Sequence, residues 1–424
     1  MRKTVSLLVL SAAVPLGMAL GCQAVLGIEV LEESPAETSS DGGADAASEA
    51  MPDTSGSSDV SAETAADVEV VDAASETVPP FDASTEGGSC DPECPTLGLA
   101  RPPCKPAVAD SPSLPEPLLF AVRTMMTGMN PDHPDEWLDL GLDLDCLFTD
   151  EQGQPPSCIP APDAGSKQNG KDGHQGRDNS FGSNIGAKVR EMTKVLGKNY
   201  EDSLNKGLEV GFRGILLEVG DYNGEADDPN VWVTVLSAGG TVDDGGNYVK
   251  PGWMGKDVWT VESSNFQAGS FEPLFKSTQA YVSGRVLVAK MPSGLPLTVS
   301  GEAAGLKWTL DQTTVLFKMD PQHTYLTDGV IAGVWPAALA ADSIASVLAS
   351  IGTCPDDPGS KLIEPLIADS LDIRDKAVAQ PQLDCQAISV GLGFVGMVAR
   401  RGPIIDPAPA KPDPCAKDAG ADSP

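Results

Sequence analysis

The sequence predicts a mainly β domain, a β-sandwich or jelly roll of antiparallel sheets with two or three packed helices, behind a disordered N-terminal stalk. Three observations lead there. Short runs rich in β-branched and aromatic residues recur between Leu208 and Ala399, with Gly, Asp, Asn and Pro between them, as half-buried strands joined by turns require. Strand-like and helix-like patterns do not alternate, so a parallel doubly wound sheet is disfavoured. Residues 22–89 carry sixteen Asp/Glu and no Lys or Arg, a composition that cannot bury enough apolar surface to offset the entropy of ordering.

The chain opens on the basic Met1-Arg2-Lys3, then an apolar stretch from Thr4 to Leu16 that is too short to span a bilayer. It closes on Ala19-Leu20-Gly21-Cys22. This string resembles the lipobox of bacterial lipoproteins, whose cysteine is lipidated and becomes the first residue of the mature chain. The resemblance implies a signal peptide at 1–21, lipidation of Cys22 and an extracytoplasmic protein held to a membrane by lipid. Gln23 after the cysteine is similar to the outer-membrane sorting pattern. An ordinary secretory signal is the competing reading and leads to the same compartment.

The linker of 22–89 is expected to be a self-repelling acidic coil of Ala, Ser, Asp and Glu, its ends roughly 40–50 Å apart if flexible. A Cys/Pro-rich collar follows at 90–117, then the folded domain at 118–405 and a Pro-rich tail at 406–424. The net charge of −33 repels nucleic acid and anionic headgroups, so nucleic-acid binding is disfavoured and no nucleic-acid partner is expected. Setting Cys22 aside leaves eight cysteines, an even set that favours disulfides in an exported chain. The expected local bridges are Cys146–Cys158 and Cys354–Cys385. Cys90, Cys94, Cys104 and Cys415 are left with open connectivity.

Helical spacing of Ile185, Val189, Met192, Leu196 and Leu204 predicts a helix over Asn184–Lys206. Strands are expected at Leu208–Val219, Val231–Leu236, Val258–Val261, Tyr281–Lys290, Leu295–Val299, Leu306–Met319, Thr324–Val334 and Ala387–Ala399. Pro336–Ile351 reads as a second helix with Pro in its first turn and Gly352 at its end. A third, near Ser360–Ile373, should be kinked by Pro365.

Two acidic clusters offer chemistry. The first joins Asp143 and Asp145, on one face of an extended Leu142–Cys146, to Asp172, Asp178 and Asn179 in a Gly-rich loop. The second is the loop 221–228, with Asp221, Asn223 and Asp227 at alternate positions. Oxygen-only ligands on pliable backbone suit Ca²⁺. The second loop is not an EF-hand, because Gly224 is misplaced and no Glu closes it. For both clusters the competing reading is Asx-turn chemistry, in which Asp and Asn bond the backbone of tight turns. Tyr248 and Trp253, in a Gly/Pro-rich loop, offer rings for stacking on a glycan, against the alternative of core burial.

Enzyme signatures are matched by letters only. Asp143-x-Asp145 lacks the Thr/Val that phosphoryl-transfer enzymes of the haloacid-dehalogenase type carry. Gly391-x-Gly393-x-x-Gly396 mimics a dinucleotide fingerprint, yet no crossover helix can follow it in a Pro-rich tail. His133, His174 and His323 are scattered.

The strings Trp137…Gly141-Leu-Asp-Leu-Asp-Cys146, Asp172-Gly…Gly176-Arg-Asp-Asn179 and Cys385-Gln-Ala-Ile-Ser-Val-Gly-Leu-Gly-Phe394, with the opening Cys22…Leu26-Gly-Ile28, resemble uncharacterised surface lipoproteins of myxobacterial type. That family brings no activity with it. The expectation is a non-enzymatic cell-envelope lipoprotein with a binding or structural role, stabilised by calcium, its partners the membrane and a glycan or another envelope protein. The alternative is a surface hydrolase acting on polysaccharide through carboxylates brought together only in space.

Overall fold

Residue 94, residues 98–409 apart from 151–153, 161–170, 197–198, 212, 301–304, 351–353, 355–356 and 358–359, and residue 415 are described by a computed structural model. The signal peptide, Cys22, the linker of 22–89 and Cys90 lie outside those residues.

Eleven strands form the sheet: β1 (Leu118–Met126), β2 (Gly214–Gly220), β3 (Asp228–Val242), β4 (Val258–Glu262), β5 (Lys276–Ser283), β6 (Val286–Lys290), β7 (Leu295–Ser300), β8 (Gly305–Met319), β9 (Tyr325–Pro336), β10 (Ala387–Val398) and β11 (Arg400–Ile405). The mainly β class holds, but the architecture is a barrel and not the expected sandwich. Eight strands close on themselves in the order β1-β2-β3-β5-β6-β8-β9-β10, every neighbour antiparallel, with β10 returning to β1.

Closure turns on the length of β3. Its first half pairs with β5 (Asp228↔Val282 to Thr234↔Lys276), while its last residues leave that edge and pair with β4 (Ala238↔Val261 to Val242↔Val258). Outside the ring, β11 adds to β4 in parallel and β7 to β8.

Alternation along each strand explains the packing. Phe120 and Val122 of β1, Leu217 and Val219 of β2, Val233 of β3, Val282 of β5, Leu287 of β6, Phe317 of β8, Ile331 of β9 and Val390, Leu392 and Phe394 of β10 belong to one buried cluster. They are the inward set of an eight-strand barrel, whose interior is just wide enough for side chains to fill. The intervening residues face outward and are covered in their turn. Leu119, Ala121, Leu216 and Leu236 lie under Trp253 and Trp259, and Val286, Val288, Leu316, Val330 and Ala332 lie under Leu142 and Leu144.

The expected long helix is three pieces. A π-helical turn, Phe181–Gly186, runs into α1 (Ala187–Leu196), and α2 (Tyr200–Glu209) begins afresh where the Asn199 side chain accepts from Asp202 N. The Asn205 amide of α2 bonds both the N–H and the C=O of Met125. Phe181, Ile185, Leu204 and Leu208 plug this end of the barrel. Helix α3 (Ala337–Ser350) and α4 (Ile363–Ser370) match the other two expected helices. Pro365 falls in the first turn of α4, where its missing N–H removes no helical bond, so no interior kink is required.

The region read as one strand, Tyr281–Lys290, is a hairpin turning at Gly284-Arg285 with both residues at positive φ. The strands β1 and β11 were not anticipated. Disulfide pairing also differs from the local bridges expected. Cys146 pairs with Cys94 in the collar, Cys158 with Cys385, and Cys354 with Cys415. Cys104 is disulfide-bonded as well. The folded layout places Cys158 beside the start of β10, since Ile159 and Asp384 form a β-bridge, and local spacing could not foresee that.

Candidate carboxylate centre

Outside the barrel wall formed by β9 and β10, two loops are laid together by backbone bonds. Asp143 N donates to Ala100 O (2.9 Å), Asp178 N to Leu142 O (3.0 Å) and Asp172 N to Thr149 O (3.0 Å). Gly141 seats the first loop directly on β10. A Cβ at Gly391 would stand 2.6 Å from Gly141 Cα, and φ at Gly141 is +97°. The dinucleotide-like glycine string is thus a record of close backbone approach within a strand. Gly396 serves similarly, against Ala121 O.

This arrangement buries Asp143, Asp145, Asp172 and Asp178 together. Carboxylate oxygens of Asp143, Asp145 and Asp178 lie within 4.8 Å of one another. Leu142 and Leu144 pack on the barrel wall, so the expected division of this segment into an acidic and an apolar side is seen, although the backbone is irregular rather than a strand. A fifth buried acid, Asp372, joins from the segment before β10. Local sequence gave no sign of it, because it lies almost two hundred residues away.

Neighbouring donors hold each carboxylate. Arg101 Nε (2.8 Å) and Cys146 N (2.8 Å) donate to Asp143. Leu147 N (2.9 Å) and Ser157 Oγ donate to Asp145. Leu144 N (2.6 Å) donates to Asp178, and Thr149 N (2.5 Å) to Asp172. Ser389 N (2.8 Å) and Oγ (2.5 Å) donate to Asp372.

Burial dominates the electrostatics. It pushes the Asp143 carboxyl up to about 7, against the opposing pull of Arg101, with Asp145 adding to the rise. It pushes Asp172 up to about 8, reinforced by Asp145, Asp372 and Asp143. Asp372 rises to about 7, burial outweighing its bonds from Ser389. Asp178 is raised by burial and then by its four acidic neighbours. Closely spaced carboxyls in a low dielectric must take up protons or a cation. The donor set is oxygen only, which suits a hard divalent ion. Cys94 and Cys146 adjoin Asp143 but are bonded to each other and offer no thiolate.

Asn179 does not belong to the ligand set. It is buried, its Oδ1 accepts from Gly182 N and Gly391 N (3.0 Å each), and its Nδ2 donates to Trp137 O. It fastens the loop to β10.

The second cluster is a turn. Asn223 Oδ1 accepts from Glu225 N (2.8 Å), and Asn223 Nδ2 donates to Asp227 O (3.1 Å). Asp227 Oδ1 accepts from Gly284 N (2.8 Å). Asp221 is exposed at positive φ. The Asn223 and Asp227 oxygens are thus taken up by backbone amides, as in turn chemistry, and the three residues are not buried together as those of the first cluster are.

The stacking platform is not found at Trp253. That ring is 8% exposed, its Nε1 donates to Glu209 O (3.0 Å) and its centroid is 5.6 Å from that of Trp259. Tyr248 is 66% exposed and lines a shallow groove of about 490 Å³ with Arg213, Lys250, Glu262 and Ile405. No protein family, curated protein or solved structure matches the chain.

Proposed function

We propose that this is a cell-envelope lipoprotein, lipidated at Cys22 and held at the outer membrane, whose barrel is a non-enzymatic binding or structural ectodomain stabilised by Ca²⁺. Asp143, Asp145 and Asp178 are the ion's ligands in this reading, with Asp172 and Asp372 completing the negative field. The buried convergence of the three carboxylates carries the proposal, because a divalent cation would neutralise there what Arg101 alone does not. Disulfides support the extracytoplasmic side of the reading. A barrel filled by its own side chains supports recognition through loops and outer faces over transport of a ligand inside.

Thermal denaturation tests the calcium. Millimolar Ca²⁺ should raise the Tm of the wild type in a chelator-reversible way, and Asp178→Asn should abolish most of that rise. No shift in the wild type removes calcium from the proposal. Metabolic labelling with a fatty-acid analogue tests the anchor: label retained by Cys22→Ala removes the lipid.

A further inference from the structure

The groove of about 490 Å³ beside Tyr248 lies where β3, β11, the end of α2 and the loop after β3 meet. Consecutive glycines of β3 form its floor, and each admits a side chain that a Cβ would push away. A Cβ at Gly239 would stand 2.4 Å from Ile405 Cδ1, and one at Gly240, where φ is +126°, 2.8 Å from Tyr248 Cε1. The Tyr248 ring therefore rests an edge on the strand and leaves most of its surface open, at 66% exposure.

The loop that carries this ring is fixed from both sides. Val249 N donates to Thr241 O (3.1 Å) and Thr241 N to Gly211 O (3.3 Å). Asp243 Oδ1 accepts from Gly245 N (2.8 Å) and Asn247 N (2.9 Å). Lys250 pairs with Glu209 of α2 (3.1 Å). Charges of both signs line the groove, Arg213 and Lys250 against Glu262 and Asp406. Hydroxyls steady the two carboxylates, Ser264 Oγ donating to Glu262 (3.3 Å) and Ser263 Oγ to Asp406 (3.0 Å), and each carboxylate keeps further lone pairs for a ligand.

Balanced cations and anions offer no net attraction to a charged ligand. They suit one whose polar groups both donate and accept, as hydroxyls do. A ring held in place and open to solvent adds an apolar plane for the C–H face of a pyranose. The volume is that of an ordinary small-molecule site.

We propose that this groove binds a neutral glycan chain, with one hexose stacked on Tyr248 and its hydroxyls shared among Arg213, Lys250, Glu262 and Asp406. This names the ligand class for the binding role proposed above and rests on that role, but on neither calcium nor the lipid anchor.

Maltohexaose, cellohexaose and mannohexaose are the probes, each tested against the full chain by saturation-transfer difference NMR. At least one should show transfer, strongest at the C–H protons of one sugar face, with an affinity that added NaCl leaves unchanged, as an uncharged ligand requires. Tyr248→Ala should weaken that affinity about tenfold, the worth of a stacked ring. Tyr248→Phe, which keeps the ring, should bind as the wild type does. The side chain is exposed, so neither variant threatens the fold. No transfer from any of the three sugars, or transfer undiminished in Tyr248→Ala, would overturn the proposal, and so would binding confined to the anionic oligogalacturonate. Sugars refused by a protein that keeps its calcium response and its lipid label would sink the glycan alone.

Discussion

The loops at 141–147 with 172–179 and at 221–228 are alike in composition, acidic and glycine-containing, yet they fold to opposite ends. In the second, the side-chain oxygens of Asn223 and Asp227 accept from Glu225 N in the same loop and from Gly284 N in the adjoining hairpin turn. In the first, two distant loops, the collar and the segment before β10 are stacked on the barrel wall, and the carboxylates are pressed together beneath them. What separates a turn from a candidate ion site is a second layer of chain, and such a layer is not written in the loop itself.

Three predictions probe that contrast. Removing the Cys158–Cys385 bond with a paired Ala substitution should have the largest effect, about 2–5 kcal/mol lost in denaturant titration. Ser157 and Asp372 both contact this region, so any calcium response should weaken with it, while the turn at 221–228 keeps its amide protection. Equal loss of protection in both loops would break the distinction.

The next effect depends on pH. Asp143, Asp172 and Asp372 have folded-state values near 7 to 8 against an ordinary 3.8. Their protonated forms therefore favour the fold below about pH 4, and that contribution is lost as pH rises toward 8. In chelator, Tm should decline across this window. Burial also pushes Glu136, at the helical end of the barrel, up to about 8, which acts with the same sign, so the part of the slope that calcium removes belongs to the carboxylate centre. A calcium-independent slope would remove the centre from metal binding.

The smallest effect is expected at the turn. Asn223→Ala takes the acceptor from the exposed Glu225 N and should cost about 0.5–1.5 kcal/mol, with the calcium-induced shift in Tm unchanged. An altered calcium response there would mean that the second loop also senses the ion.

The sequence made much of this legible through period and punctuation. The strands from Val231 to Ala399 were readable because β-branched residues alternate between turn signals. Whether those strands close a ring or split into two layers was not, since both give each strand one buried face. The deciding feature is β3 serving β5 and β4 on one edge, a matter of length and register. Asp143, Asp145, Asp172 and Asp178 could be picked out as acids in short loops. Asp372 and Arg101 could not, because only the packing of β10 and the collar brings them in. Trp253 misled for a related reason: its loop reads as surface, yet the ring tucks beneath it against Trp259.

The pairing of β10 with β1 joins the latest strand of the ring to the earliest. A fragment ending before Ala387 therefore exposes two unpaired borders, one along β1 and one along β9, each a template for stray pairing between molecules. The two meeting strands, Leu118–Met126 and Ala387–Val398, stand far apart in the chain, which places the ring's assembly among slow, non-local folding reactions.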